Sequence, residues 1–336
     1  MAEQKTVSRQ RARNILNTAA KRTVLVTGDA MLDQFLWGDV SRISPEAPVP
    51  VVEFQRENFM PGGAANVARN LTALNCAAKI HSVVGRDDAA KKLRALLNAD
   101  NVDCTKLLTE GSRQTSCKTR IIAQRQQVVR VDRESKTDIE PRLAKRLLRS
   151  IANDLAKSEA VVIGDYGKGV VTQEFLDELK ALGQQHGAWL SLDPKPVHSL
   201  DLRGLSLITP NRKEAFELAG ISDTTHNANP IKDLNLMRAA KQLLGELDLK
   251  VLLITLGELG MLVCQSGRKP FHIPTLAREV FDVSGAGDTV IGSFTLAIAA
   301  GATPVEAAIV ANHAAGIVVG KLGTATVTPR EILASF

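Results

Sequence analysis

The chain has 336 residues, 44% apolar and 23% charged, enough to bury the core of one large α/β unit or two smaller ones and too apolar for a disordered tract. Aromatic residues are only 4%, which argues against a base-stacking surface for single-stranded nucleic acid, and no run of about 18 uncharged apolar residues marks a membrane span. The net charge of +6 sits mostly in residues 1–22, where Lys5, Arg9, Arg11, Arg13, Lys21 and Arg22 face only Glu3, so that residues 23–336 carry 36 basic and 35 acidic side chains. This basic tail reads as a solvated, fraying arm rather than a nucleic-acid contact.

From residue 23 short β-rich runs alternate with helical patterns. Thr23–Thr27 reads as a buried strand ending at Gly28-Asp29, and Ala64–Leu74 has helical spacing. Ala78–Val84 is a strand closed by Gly85, and Asp87–Leu97 an amphipathic helix. Ala160–Ile163 is a strand stopped by Gly164-Asp165, followed by a helix over Thr172–Leu182. Trp189–Leu192, Leu205–Ile208 and Val251–Thr255 are further strands, and a helix begins at Lys213–Leu218. Such alternation predicts an α/β fold with a doubly wound, mostly parallel sheet, and directs attention to polar residues just past the carboxyl ends of the strands. Two stretches, about 35–58 and 112–133, look β-rich without intervening helices, and the second reads as a hairpin of Thr115–Ala123 and Val128–Val131 about Gln124–Gln127. They are expected to form a small β-sheet lid; an ordinary surface hairpin fits the same letters.

The strongest motif is Asp282-Val283-Ser284-Gly285-Ala286-Gly287-Asp288, followed by a helical run over Thr289–Ala299. Gly285, Ala286 and Gly287 before a helix bring backbone N–H groups and the helix dipole to one point, which suits an anion. A carboxylate at Asp288 is in reach of that point and can take the proton of an attacking hydroxyl. Taken alone, a helix cap on a glycine-rich turn explains the motif equally well. A second motif is Pro61-Gly62-Gly63-Ala64-Ala65-Asn66, where two glycines permit close backbone approach and Asn66 offers a donor and an acceptor. No GxxxxGK[ST] is present, and no GxGxxG follows the first strand.

Together these two motifs, with Asn211-Arg212-Lys213-Glu214 between them, resemble the signatures of the ribokinase-like (PfkB) carbohydrate kinases over roughly residues 23–330. The segment Gly38–Pro50 and the stretches Val129–Glu134, Asp165–Gly169, Asp193–Lys195 and Gly320–Val327 are similar to the heptose 7-phosphate kinases of that family. The resemblance implies ATP-dependent phosphorylation of the C1 hydroxyl of D-glycero-D-manno-heptose 7-phosphate, an early step towards lipopolysaccharide. It implies Asp288 as base, with Gly285, Ala286 and Gly287 holding the transferring phosphoryl group, and Asp33, Gly62, Gly63 and Asn66 on the sugar. Thr255, Gly257, Gly260, Asn312 and Lys213 fall in nucleotide segments. Asn211 and Glu214 would organise Mg²⁺ through water, and Asp282 is a candidate for a monovalent cation such as K⁺. One departure is Ser284, where the family often has threonine.

A substrate with its own phosphate needs additional cations. Arg120, Arg130, Lys168 and Lys195 are the candidates, with Asp132 orienting Arg130 and Asp165 at a strand end; exposed lid charge is the alternative for each. His313 reads as a packing histidine. The chain resembles a free-standing kinase without the adenylyltransferase half of many relatives. A cytoplasmic setting is expected, because Cys76, Cys104, Cys117 and Cys264 show no CxxC or metal-ligand spacing and no signal peptide is evident. The expected partners are a phosphosugar and ATP, with no nucleic acid and no membrane, and the expected assembly is a homodimer through the lid sheets. Two other readings remain: a kinase of the same fold acting on fructose 6-phosphate or ribose, and a non-catalytic sugar-binding protein.

Overall fold

The computed structural model describes residues 6–336 except 125, 196–198 and 278. Helix α1 (Arg9–Ala19) opens the chain and corrects the expectation of a solvated arm. Ser8 caps it, and Ala12, Ile15, Leu16 and Ala19, spaced at helical intervals, are buried. Arg11 adds an ion pair to Glu306 at 2.7 Å. The charge count hid an apolar stripe that helix packing needs.

Strand β1 (Thr23–Gly28) leads into the long β2 (Ala30–Ile43) and β3 (Pro50–Gly63), then α2 (Ala64–Ala73), β4 (Ala77–Val84), α3 (Asp88–Ala99) and β5 (Asp103–Thr109). The hairpin is β6 (Ser116–Ala123) with β7 (Gln126–Arg133), antiparallel as expected. There follow α4 (Pro141–Leu155), β8 (Ala160–Gly164), α5 (Gln173–His186), β9 (Trp189–Asp193), β10 (Leu207–Ile208), α6 (Arg212–Ala219), α7 (Leu234–Leu247) and β11 (Val251–Thr255). Strands β12 (Met261–Cys264) and β13 (Phe271–Ile273) precede α8 (Ala286–Ala299), α9 (Pro304–Val318) and α10 (Pro329–Ala334). Helix α1 packs against α8 and α10.

The large sheet has the order β13-β12-β11-β10-β9-β8-β1-β4-β5. It is parallel from β11 to β5; β12 runs antiparallel to β11, and β13 runs antiparallel to β12 at the edge. Its strands are near-continuous apolar runs, as burial on both faces requires: Val24, Leu25 and Val26 are wholly buried, as are Val161, Val162 and Ile163. Two buried clusters, one on each face, form the core. The four-stranded sheet has the order β3-β2-β6-β7. It grows directly from the end of β1, because only Asp29 separates β1 from β2, and its β2–β6 pairing is parallel from Met31 to Gly38. That continuity hangs the small sheet beside the carboxyl ends of the large one.

Candidate active site

The site is built where β1, β8 and β9 end and α8 begins. At the β1 terminus Gly28 has φ +118°, and a Cβ there would lie 2.1 Å from the carbonyl oxygen of Gly164. Asp29 follows, almost wholly buried. Its Oδ2 accepts from the N–H of Tyr166 at 2.8 Å and of Lys168 at 3.0 Å, and its Oδ1 accepts from Val170 at 3.1 Å. Burial raises its pKa while these N–H groups hold it down, for a net rise. One carboxylate thus ties the loop after β8 to the end of β1.

Asp288 lies in the first turn of α8, nine-tenths buried. Asn66 Nδ2 donates to its Oδ2 at 2.7 Å, and the Tyr166 phenol donates to its Oδ1. Burial pushes the Asp288 carboxyl up to about 6; the Asn66 and Tyr166 hydrogen bonds and Lys195 oppose the rise, and Asp33 adds to it. A carboxylate poised near neutrality at a helix start can accept a proton from a hydroxyl at working pH.

Around it is a cavity of about 230 Å³ lined from both sheets: Asp33, Lys118 and Arg120 from the small one, Tyr166, Asp193 and Lys195 at or past the ends of β8 and β9, Ser284, Gly285 and Gly287 at the start of α8, and Thr324 from the segment after α9. Asp33 and Arg120 form a buried pair at 2.5 Å. Gly62 makes that geometry possible, since a Cβ there would be 2.3 Å from Asp33 Oδ2. Lys118 has no ion-pair partner within 4 Å among the described residues. Burial lowers its pKa, and Asp33 opposes that.

Ala286 does not line the cavity, and its N–H donates to the Val283 carbonyl at 3.2 Å, so of these three residues only Gly285 and Gly287 face the cavity. Arg130 stands directly opposite Arg120 in the β6–β7 ladder but is half-exposed and engaged with Asp132 through two bonds of 2.8 and 2.9 Å. Lys168 is held by Glu134 at 2.7 Å. Asp165 is buried and accepts from the Gly167 N–H. None of these four lines the cavity.

Asn211 and Glu214 form a reciprocal capping box at the start of α6. The second oxygen of Glu214 accepts from Lys195 Nζ at 2.6 Å, and Asp193 Oδ2 is 3.8 Å from the same ammonium. Burial raises the Asp193 carboxyl to about 7, with Glu214 and Asp288 adding to the rise and Lys195 opposing it. Burial alone would lower Lys195, but Asp193 and Glu214 raise it on balance. Two carboxyl groups therefore share one ammonium at this corner of the site. No group of three or more His, Cys, Asp or Glu side chains suited to a metal occurs among the described residues. The chemistry fits Mg²⁺, which keeps several waters and takes one or two carboxylates.

Thr255 pairs through its backbone with Asn211, and Gly257 and Gly260 both have positive φ. A Cβ at Gly260 would be 2.0 Å from the Ile273 carbonyl. Asn312 is buried, with Nδ2 donating to the Pro274 carbonyl at 2.8 Å, so its amide braces the segment after β13. Lys213 points along the exposed side of α6 toward Glu217. Asp282 accepts from the N–H groups of Ser284 at 2.9 Å and Gly323 at 3.0 Å, joining the anion loop to the Gly320–Val327 segment. His313 stacks on Phe336 with ring centroids 3.7 Å apart, a packing histidine as expected.

The cavity-lining residues that sequence reasoning missed are Met31, Lys118, Tyr166, Asp193, Ser284 and Thr324. Lys118 shares a strand face with Arg120, a signal that was available. Tyr166 carried none, because its approach to Asp288 depends on two segments 122 residues apart.

Residues 21–331 match the family described as pfkB family carbohydrate kinase. The bifunctional protein HldE of Geotalea uraniireducens is 44% identical over 328 residues, covering 98% of this chain and 66% of the relative. That of Desulfatibacillum aliphaticivorans is 45% identical over 312 residues, 93% of this chain and 62% of the relative. The chain thus spans just under two thirds of the length of these curated relatives. Among solved structures, the fold is similar to Arabidopsis thaliana ribokinase complexed with ribose and ATP (TM-score 0.73, 18% identity, 94% of this chain and 98% of that one). It is also similar to Escherichia coli phosphofructokinase-2 in complex with potassium (TM-score 0.75, 21% identity, 93% and 97%). No helix among the described residues is long and apolar enough to cross a membrane.

Proposed function

The chain belongs to the pfkB family of carbohydrate kinases, and from that premise we propose that it transfers the γ-phosphoryl group of ATP to the C1 hydroxyl of D-glycero-D-manno-heptose 7-phosphate. The observation that carries the chemistry is the Asp288 carboxylate, buried at the start of α8 and raised to about 6, beside Gly285 and Gly287. The choice of heptose rests on the similarity of residues 38–50 and 129–134 to heptose 7-phosphate kinases, supported by identities above 40% to proteins named HldE.

In this reading Asp33 orients the sugar, Asn66 acts through its hydrogen bond to Asp288, and Lys118 and Arg120 take the distal phosphate. Asp288 accepts the hydroxyl proton as the oxygen forms its bond to the γ-phosphorus and the bond from that phosphorus to the β–γ bridging oxygen breaks. The N–H groups of Gly285 and Gly287, with the α8 dipole, stabilise the developing charge. Glu214 and Asp193 would hold Mg²⁺ through water, and the ion would neutralise charge on the β- and γ-phosphate oxygens. Asp282 is the proposed side-chain contribution to a K⁺ site. The small sheet acts as a lid, and its exposed Phe54, Val129 and Val131 suit pairing of two copies.

ADP release measured with heptose 7-phosphate, fructose 6-phosphate and ribose tests the reading. Heptose 7-phosphate is expected to give the highest kcat/KM. Asp288→Asn is expected to reduce kcat by about 10²–10⁴ while calorimetric binding of ATP and sugar persists. Faster turnover of another sugar refutes the substrate, and near-normal turnover in the variant refutes the base.

A further inference from the structure

We propose that Tyr166 is a positioning residue for the base: its phenol fixes one carboxylate oxygen of Asp288 while Asn66 fixes the other, so that the carboxylate is held aimed into the cavity. The inference rests on the reading of Asp288 as the proton acceptor. It assigns a task to a partly buried polar group of the cavity wall that the transfer chemistry leaves unused.

Several features of the fold converge on bringing this ring to Asp288. The backbone at Tyr166 and just after it is pinned by the Asp29 carboxylate, which accepts from the N–H groups of residues 166, 168 and 170. The ring lies against two glycines from different segments. A Cβ on Gly63 would lie 3.2 Å from Tyr166 Cε2, and one on Gly164 would lie 3.0 Å away. Both distances are tighter than packed side chains ordinarily adopt, so these glycines leave the room the ring fills. The Lys195 ammonium stands 5.9 Å from the ring centroid on the cavity side.

The hydrogen bond has a defined direction. Burial and the charge of Asp288 raise the phenol well above its ordinary pKa of 10, so at working pH it remains a donor. Asn66 Nδ2 is likewise a donor. Donors on both oxygens restrict rotation of the carboxylate and favour its ionised form, against the burial that favours the protonated one. Each carboxylate oxygen keeps a second lone pair, so a substrate hydroxyl can be received without displacing Tyr166.

Tyr166 is the only tyrosine of the chain, which permits a test needing no substrate. In protein labelled with ¹³C at tyrosine Cζ, the single resonance is expected to titrate with the carboxylate at about pH 6 and to lose that titration in Asp288→Asn. Tyr166→Phe keeps the ring and removes the donor. Its acid limb in kcat/KM is expected to move up by about one pH unit, giving about a tenfold loss below the limb that narrows at alkaline pH. A Cζ resonance that stays flat in the native protein overturns the proposal. So does a folded Tyr166→Phe enzyme whose acid limb coincides with that of the native one. If the variant fails to fold, the native titration decides alone. Absence of turnover with every sugar in the native enzyme would instead defeat the functional reading.

Discussion

Gly285 and Gly287, separated by one residue at the start of α8, should respond to alanine in opposite ways. Gly285 has φ +77°, and a Cβ added there would lie 2.6 Å from Asn66 Nδ2 and 3.2 Å from Thr324 Cγ2. The left-handed conformation costs alanine roughly 1–2 kcal/mol. Asn66 is wholly buried and would have to swing away, breaking its 2.7 Å bond to Asp288 Oδ2. A hydrogen bond to a charged group contributes about 1.5–3 kcal/mol, so the whole substitution should destabilise by roughly 2.5–5 kcal/mol. Displacing Asn66 also loosens the base, and misplacement on the scale of about 1 Å lowers turnover about 100-fold. Gly287 lies inside α8, with no atom within 4 Å of an added Cβ. Alanine there gains helix propensity of up to about 1 kcal/mol while placing a methyl group on the cavity wall. Thermal melting with ADP release separates the two. Gly285→Ala should melt several degrees lower and lose turnover, whereas Gly287→Ala should melt at or above the native temperature and still lose turnover. Native-like melting and turnover in Gly285→Ala would refute the reasoning.

The raised carboxyl of Asp288 sets a pH dependence. kcat/KM should fall with unit slope below about pH 6 as the base protonates, and a profile flat down to about pH 5 would contradict the assignment. Because the folded-state value lies above the ordinary 3.8, this group favours the fold fully only below about pH 4, and that contribution is lost as pH rises through about 6. Arg120→Met should leave Asp33 buried without its partner, destabilising by about 3–5 kcal/mol and raising KM for the phosphosugar; unchanged melting and KM would show the pair to be dispensable.

Much of this protein is legible in its letters. Apolar runs ending in Gly-Asp or Asp-Pro mark strands of the large sheet, since burial on both faces requires uninterrupted apolar side chains. Helix starts are equally plain, with Thr172 and Asn211 capping α5 and α6. The Gly285–Asp288 run announces a glycine-rich turn into a helix with its acid in the first turn, because backbone conformation and helix polarity are local properties. Helix α1 is also written in the sequence, as the apolar stripe of Ala12, Ile15, Leu16 and Ala19, although its basic residues resemble those of a solvated arm.

Tertiary structure alone decided which side chains meet. The β6–β7 register places Arg120 opposite Arg130, yet the fold sends Arg120 to Asp33 and leaves Arg130 at the surface with Asp132. Asn312, expected from its segment to face the nucleotide, donates its amide to the Pro274 carbonyl. The carboxylate of Asp288 receives donors from Asn66 and Tyr166, which come from separate turns of the chain. By itself the sequence determined the strands, the caps and the chemistry of each candidate group, because those follow from neighbours along the backbone. The partners of each charge, and hence the ionisation of the base, follow from burial and from contacts between distant segments, which exist only once both sheets and α8 are in place.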